Sequence, residues 1–255
     1  MVKNLLDKVL VINFASGERT EKLSEYCFKK LGFENILTIG SETGFVDKFI
    51  RCAEIALESK CEIFVRSDAD RLVFDGLLDL IDKFIEEKLD CAEGYGHEYF
   101  MNCFRGATPH VFSKKVFQIL ANDNSLMPDV QKPENHFVNN LVNKGLIKEK
   151  TFKILTNLHE YEQFPSKVCN SFLNRIARGH LGYYDLNYLK NLKEYNHAIN
   201  HALNETNKFS NKKKSMNHED YSYLDDKFLK INNDEIGQYY LHCLQIYQKV
   251  NLNYR

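Results

Sequence analysis

The ten residues from Glu62 to Arg71, EIFVRSDADR, point to an α/β sheet with a site at its edge. Ile63–Val65 is expected to form a short buried strand, because β-branched and aromatic residues suit a pleat covered on both faces. Two carboxylates, Asp68 and Asp70, follow at the carboxyl end of this strand, where ligands bind in an open α/β sheet. Neighbouring carboxylates repel each other unless a cation neutralises them, so the pair predicts a Mg²⁺ or Mn²⁺ site. The alternative is that both residues only cap a turn or the following helix.

The segments before this stretch alternate between strand and helix patterns. Lys8–Phe14 and Ile36–Ile39 have the apolar runs of buried strands, and each run ends in a polar, glycine-containing turn. After each strand, apolar residues recur at helical spacing between charged residues. The strand–helix–strand–helix–strand order favours parallel strands joined by crossover helices, which is the layout of a nucleotide-binding half-domain.

The rest of the chain is expected to complete the sheet and then to become helical. Apolar spacing predicts helices over 77–85, 114–120, 136–142 and 168–176, and a further strand at 152–155. Gly94 and Gly96 weaken a strand assignment for 91–104. Helical spacing returns over 186–203 and 226–250. We therefore expect an α/β fold with a mostly parallel sheet flanked by helices over residues 1–180, and a helical extension over residues 181–255.

Composition excludes some classes of function. The chain has 255 residues, and 34 basic side chains nearly balance 35 acidic ones, which gives a net charge of −1. Such a chain has no overall basic field for binding nucleic acid. Its seven cysteines form no CxxC pair, which favours reduced thiols in a cytoplasmic protein. No apolar run approaches the roughly 18 residues of a membrane span, so a soluble protein is expected.

Two later residues complete a set of groups suited to catalysis. Glu134 begins a predicted helix, and His159 follows a predicted strand. A carboxylate pair, a distant base and a late histidine are the parts of a metal-dependent group transfer from a nucleotide donor. Glu134 is the candidate base, with Asp129 as a rival, and His159 a candidate metal ligand beside Asp68 and Asp70. Alternatively, Glu134 only stabilises a helix N-terminus, and His159 is an ordinary histidine at a strand end.

A second group of residues is expected to contact the nucleotide. Most of its members lie near the ends of the first strands or on the second helix, and Asp68 lies where it would reach a ribose. The group consists of Asn13, Phe14, Arg19, Lys48, Arg51 and Asp68. The three basic residues are equally compatible with solvated helix charges. Arg175 and Arg178 are candidates for contact with a diphosphate or an anionic acceptor.

Together these features resemble the GT-A fold glycosyltransferases, especially the family-2-like enzymes of bacterial surface polysaccharides. The resemblance covers about Lys8 to His180 and rests on Asp68-Ala69-Asp70, on Pro133-Glu134, and on the segment LHEYEQF at 158–164. That segment is similar to a His-Asp-x-Glu-Gln segment of some of these enzymes, with Glu160 in place of the aspartate. The usual Asp-Asp or Glu-Asp base motif is absent, and Pro-Glu-Asn stands in its place.

The resemblance implies a nucleotide-sugar donor, a Mn²⁺ or Mg²⁺ ion held through Asp-x-Asp, and a histidine that completes the metal shell. It implies transfer to a glycan or lipid-linked acceptor, in capsule or lipopolysaccharide biosynthesis, with His97, His110 and Thr108 lining an acceptor cleft. The run Lys212–Lys214 allows contact with the inner face of the membrane, since each lysine contributes about 1 kcal/mol near an anionic leaflet. The C-terminal helices allow a homo-oligomer.

Three alternatives remain open from the sequence. A haloacid-dehalogenase-type phosphatase would use Asp68 as its nucleophile, but that motif normally follows the first strand, and Leu72 replaces its customary Thr or Val. A sugar-1-phosphate nucleotidyltransferase would need a glycine-rich loop and a basic residue after the first strand, which residues 15–18 do not supply. The third alternative is a transferase fold without catalysis that serves as an assembly partner.

Overall fold

A computed structural model describes residues 5–40, 44–128, 130, 133–177, 185, 188–189, 191–204, 221–225 and 228–254. The strands are β1 (Val9–Phe14), β2 (Ile36–Ile39), β3 (Ile63–Asp68), β4 (Arg71–Val73), β5 (Cys91–Glu98), β6 (Cys103–Ser113) and β7 (Glu149–His159). The α-helices are α1 (Glu21–Lys30), α2 (Phe45–Glu58), α3 (Gly76–Glu86), α4 (Lys114–Asn122), α5 (Pro133–Asn143), α6 (Pro165–Ala177), α7 (Asn196–Asn204) and α8 (Ile236–Tyr254).

The seven strands form one sheet in the order β2-β1-β3-β6-β5-β7-β4. The first three strands are parallel, as the sequence predicts, with α1 and α2 as crossover helices. β6 enters antiparallel to both β3 and β5, whereas β7 is parallel to β5 and antiparallel to β4. The expected α/β fold is confirmed, and its second half is a mixed sheet.

Alternating side chains of the central strands bury both faces of the sheet. Val11 and Val65 pack with α1, α3 and α8 on one face. Ile12 and Phe64 pack with α2, α4 and α5 on the other. This period of two is the pattern of a strand that is covered on both sides.

β5 forms although its glycines weaken the strand pattern. A Cβ atom at Gly94 would lie 2.4 Å from Cγ2 of Thr156, and one at Gly96 would lie 2.7 Å from Oδ1 of Asn157. The missing side chains therefore let β7 lie close beside β5. The sequence marks these residues as breakers because it does not show the neighbouring strand.

The C-terminal helix belongs to the core of the sheet. The ring of Tyr247 stacks on Phe74 at 4.4 Å, and its hydroxyl donates to the carbonyl of Leu155 at 2.7 Å. The helix expected over 226–250 begins only at Ile236. Within the described part of 186–203, a 3-10 turn at Lys193–Tyr195 precedes α7, which begins at Asn196. The boundary expected at 180 lies outside the described residues, as do Asp129, Arg178 and Lys212–Lys214. Within the described residues, no helix is both long and apolar enough to cross a membrane.

Candidate active site

The ends of strands β3, β5 and β7 bring Asp70, Glu98 and His159 together. In the sheet, His159 lies opposite Glu98 of β5 on one side and opposite Arg71 of β4 on the other. Asp70 lies between β3 and β4, and its carbonyl accepts the backbone N–H of Glu160 at 3.0 Å. The pairing of β4 with β7 therefore places Asp70 beside His159, which the sequence spacing of 89 residues does not show.

Asp70 is held as a carboxylate with one oxygen unused. Its Oδ2 lies 3.2 Å from Nε2 of His159, and its buried Oδ1 has no hydrogen-bond partner among the residues that the structure describes. Burial would raise the pKa of Asp70, but the His159 ring lowers it to about 2. A buried carboxylate oxygen without a partner is costly, and a cation is the kind of group that satisfies it.

His159 lies between two carboxylates. Its Nδ1 lies 2.7 Å from Oε2 of Glu98 and its Nε2 faces Asp70. Burial and Arg71 oppose a charge on the ring, but Glu98 and Asp70 raise the pKa of His159 to about 9. A carboxylate that accepts from one ring nitrogen while the other faces a ligand is the usual arrangement of a metal-binding histidine.

Asp68 is engaged differently from Asp70. The guanidinium of Arg66 donates to both of its oxygens, at 2.7 and 3.1 Å, and the hydroxyl of Thr108 donates to Oδ2 at 3.1 Å. Asp68 does not line the cleft that Asp70 and His159 line. The structure thus separates the two aspartates, which the sequence assigns to one metal site.

Glu134 is locked in a buried ionic network. One oxygen lies 2.7 Å from Nδ1 of His110 and the other 3.0 Å from the guanidinium of Arg66. Burial opposes its ionisation, but Arg66 and His110 keep its pKa below the usual range. Glu134 does not line the cleft, so its assignment as the catalytic base lacks the required access. Its carboxylate instead orients Arg66, which in turn holds Asp68.

The residues proposed for an acceptor cleft are also buried away from it. His110 bridges Glu134 and, at 3.0 Å, Glu93. Burial lowers the pKa of His97, whose Nδ1 lies 2.8 Å from the hydroxyl of Tyr161. Thr108 is used by Asp68, so none of the three lines the cleft.

The basic residues assigned to the nucleotide serve other contacts. Arg19 is buried and binds Glu162 at 2.7 Å and the carbonyl of Leu229 at 2.8 Å, so it fastens the C-terminal segment to the loop after β1. The ammonium of Lys48 donates to the carbonyl of Ala15 at 2.8 Å, beneath the same loop.

The remaining three residues of this group are also away from the cleft. Arg51 is exposed and pairs with Glu54 at 2.6 Å. Asn13 and Phe14 are buried at the end of β1, where the Phe14 ring contacts the Arg66 guanidinium at 4.5 Å. Like Arg19 and Lys48, these three residues do not line the cleft, so the assignment of all five to the nucleotide gains no geometric support.

A cleft of about 350 Å³ opens in front of Asp70 and His159. Its walls are the loop after β1, the β5–β6 hairpin, the end of β7 and α6. Its charged lining residues are Glu18, Asp70, Arg105, His159, Glu160, Lys167 and Arg175. Glu18, Arg105 and Lys167 could not be selected from the sequence, because they come from three separate elements with no shared motif. Glu160 lies in the segment LHEYEQF, which the sequence marks without assigning this residue a role.

Glu18 differs from the other carboxylates of the cleft. Its Oε2 accepts the backbone N–H of Ser16, and burial and the charge of Asp70 raise its pKa to about 7. Glu160, by contrast, is paired with Arg175 at 2.7 Å and with the Ser171 hydroxyl. Glu18 is therefore the cleft carboxylate best suited to exchanging a proton near neutral pH.

The two sides of the His159 ring differ in the charges that surround them, and this difference indicates which side suits a cation. Glu98, His159 and Glu160 offer three ligand atoms within 4.8 Å of one another. Arg105 and Arg175 already lie 3.0 and 3.4 Å from Glu98, so a cation there would be repelled by guanidinium groups. Nε2 of His159 and the carboxylate of Asp70 face the cleft, and they fit a Mn²⁺ or Mg²⁺ ion.

No protein-family model matches the chain, and no curated protein matches it. Among solved structures, it is similar to a 4-diphosphocytidyl-2C-methyl-D-erythritol synthase from Anaerococcus prevotii, with 10% identity, a TM-score of 0.43, and coverage of 59% of this chain and 89% of the other. A cytidylyltransferase from Leptospira borgpetersenii matches with 13% identity, a TM-score of 0.41, and coverage of 75% and 96%. A glycosyltransferase involved in glycosylation of the major capsid of PBCV-1 matches with 15% identity, a TM-score of 0.38, and coverage of 59% and 93%. At such low identity and TM-score, these similarities assign no activity to this chain.

Proposed function

We propose that this protein is a divalent-cation-dependent transferase that moves a sugar from a nucleotide-sugar to a hydroxyl of a glycan or lipid-linked acceptor. The observation that carries the proposal is the pair formed by Asp70 and His159. Their facing atoms are 3.2 Å apart at the wall of a cleft, and the second oxygen of Asp70 is buried with no partner in the described part of the chain.

The cleft has the charges that such a reaction requires. A cation bound by Asp70 and His159 would neutralise the diphosphate of the donor as it leaves. Arg105 on the β5–β6 hairpin and Lys167 on α6 both line the cleft and would bind phosphate oxygens. Glu18, with a pKa of about 7, would accept the proton of the attacking hydroxyl. The assignment of Asp70 and His159 as ligands thus stays part of the proposal, whereas Glu18 replaces Glu134 as the base.

The phosphatase alternative has less support from the same geometry. It requires Asp68 to attack a phosphorus atom, but Arg66 binds both oxygens of Asp68 and the side chain does not line the cleft. A nucleotidyltransferase would use the same cation and the same cleft. It would release pyrophosphate from a nucleoside triphosphate, whereas a glycosyltransferase releases a nucleoside diphosphate from a nucleotide-sugar. The assay must therefore separate the two kinds of transfer.

Purified protein should be incubated with Mn²⁺ and a panel of nucleotide-sugars, and separately with the matching sugar 1-phosphates and nucleoside triphosphates. The proposal predicts release of a nucleoside diphosphate, lost on chelation and in Asp70→Asn, but retained in Asp82→Asn on the exposed side of α3. Formation of a nucleotide-sugar and pyrophosphate would instead identify a nucleotidyltransferase. Equal turnover by the wild type and Asp70→Asn would refute the assigned site.

A further inference from the structure

Glu98 is a buried carboxylate to which the proposed reaction gives no role. It is the last residue of β5, has no exposed surface, and does not line the cleft. Burying a carboxylate costs several kcal/mol unless charges and hydrogen bonds compensate it. Its position beside the cleft wall therefore calls for an explanation.

The compensation comes from His159 and three arginines that surround it. Oε2 of Glu98 lies 2.7 Å from Nδ1 of His159, 3.0 Å from Arg105 and 3.4 Å from Arg175, and Oε1 lies 3.8 Å from Arg71. Three guanidinium groups and a ring N–H beside one carboxylate favour its ionised form. Glu98 is therefore a fixed negative charge.

The contact with His159 determines which ring nitrogen faces the cleft. Glu98 and His159 are register partners in neighbouring parallel strands, so the backbone already sets their side chains next to each other. With the Nδ1 proton donated to Glu98, only Nε2 remains to face Asp70 at 3.2 Å. A rotated ring would lose the hydrogen bond to Glu98.

We propose that Glu98 is a positioning residue that fixes the His159 ring so that Nε2, beside Asp70, is presented to a divalent cation. The inference rests on the proposed function, because it requires that Asp70 and His159 bind that cation. Carboxylates behind a metal-binding histidine set the tautomer and the basicity of the ring, and their loss weakens metal binding.

The chain contains a matched control for this pair. Glu93 lies on the same strand and its carboxylate is 3.0 Å from Nε2 of His110, but neither residue lines the cleft. Glu93→Gln therefore removes a carboxylate from a histidine without touching the proposed cation site. It separates a general effect of losing such a pair from a specific effect on the cation.

The test is Mn²⁺ binding to the metal-free protein, followed through the electron paramagnetic resonance signal of free Mn²⁺. We expect Glu98→Gln to weaken binding about 10- to 100-fold, and Glu93→Gln to bind like the wild type. Wild-type affinity in Glu98→Gln would overturn the inference while leaving the cation site intact. Absence of Mn²⁺ binding by the wild type would overturn both this inference and the proposed function.

Because Glu98 balances several buried cations, Glu98→Gln can fail to fold, and a second measurement on the wild type covers that case. Two-bond ¹H–¹⁵N spectra of the metal-free protein above pH 10, with His159 assigned from its loss in His159→Gln, report the ring tautomer. A proton on Nδ1 and none on Nε2 would support the proposal. The opposite tautomer would overturn it.

Discussion

The network around His110 makes a prediction that also tests why Glu134 is unavailable as a base. Burial alone would lower the pKa of His110, but Glu134 and Glu93 raise it from 6.5 to about 9. At about 1.4 kcal/mol per unit, this shift corresponds to about 3 kcal/mol of stability. Because the folded-state pKa is the higher one, this stability is complete below pH 6.5 and is lost as the pH rises through about 9.

The measurement is urea unfolding of the wild type and His110→Gln at pH 5.5 and pH 10. The substitution should cost more at pH 5.5 than at pH 10, by about 3 kcal/mol. Because the two proteins are compared at each pH, the contributions of thiols and other titrating groups to the free energy of unfolding cancel. His136→Gln, at an exposed position of α5, the helix that carries Glu134, should cost equally little at both pH values. A cost of His110→Gln that does not change with pH would refute the ionic pairing of His110 with Glu134 and Glu93.

Three further predictions concern the cleft and the sheet. Glu18→Gln should lower the maximal rate and remove the acidic limb of the pH–rate profile, because burial raises the pKa of Glu18; an unchanged profile would exclude Glu18 as the base. Arg105→Met should weaken binding of a nucleoside diphosphate by roughly tenfold, as expected for one charge-assisted contact, and Arg51→Met on the exposed face of α2 should leave it unchanged, both measured by calorimetry. Gly94→Ala should destabilise the fold by roughly 1–3 kcal/mol in urea unfolding, because its Cβ would lie 2.4 Å from Thr156; full stability would show that β7 can move away.

Much of the fold could be predicted because the first half of the chain is locally consistent. β1, β2, β3 and the helices between them follow from apolar runs and from helical spacing, and Gly32 ends the first helix region with a φ of +93°. The mixed second half could not be predicted. Strand direction there depends on pairings between distant segments, such as β6 between β3 and β5, that leave no local pattern.

The candidate site could be predicted only in part, for the same reason. The sequence points to Asp70 and His159 because each follows an apolar strand, and the structure brings them together. It points to Glu134 by its place at a helix start, but the partners of Glu134, Arg66 and His110, come from strands β3 and β6. Glu98 could not be selected, because its importance arises from its register with His159.

The proposed site requires that Asp70 and Nε2 of His159 bind a divalent cation. Crystals soaked in Mn²⁺ would locate the ion through its anomalous scattering. We expect one peak within coordination distance of both groups, on the side of the ring away from Glu98. A peak between Glu98 and Glu160, a peak on Asp68, or no peak at all would contradict it.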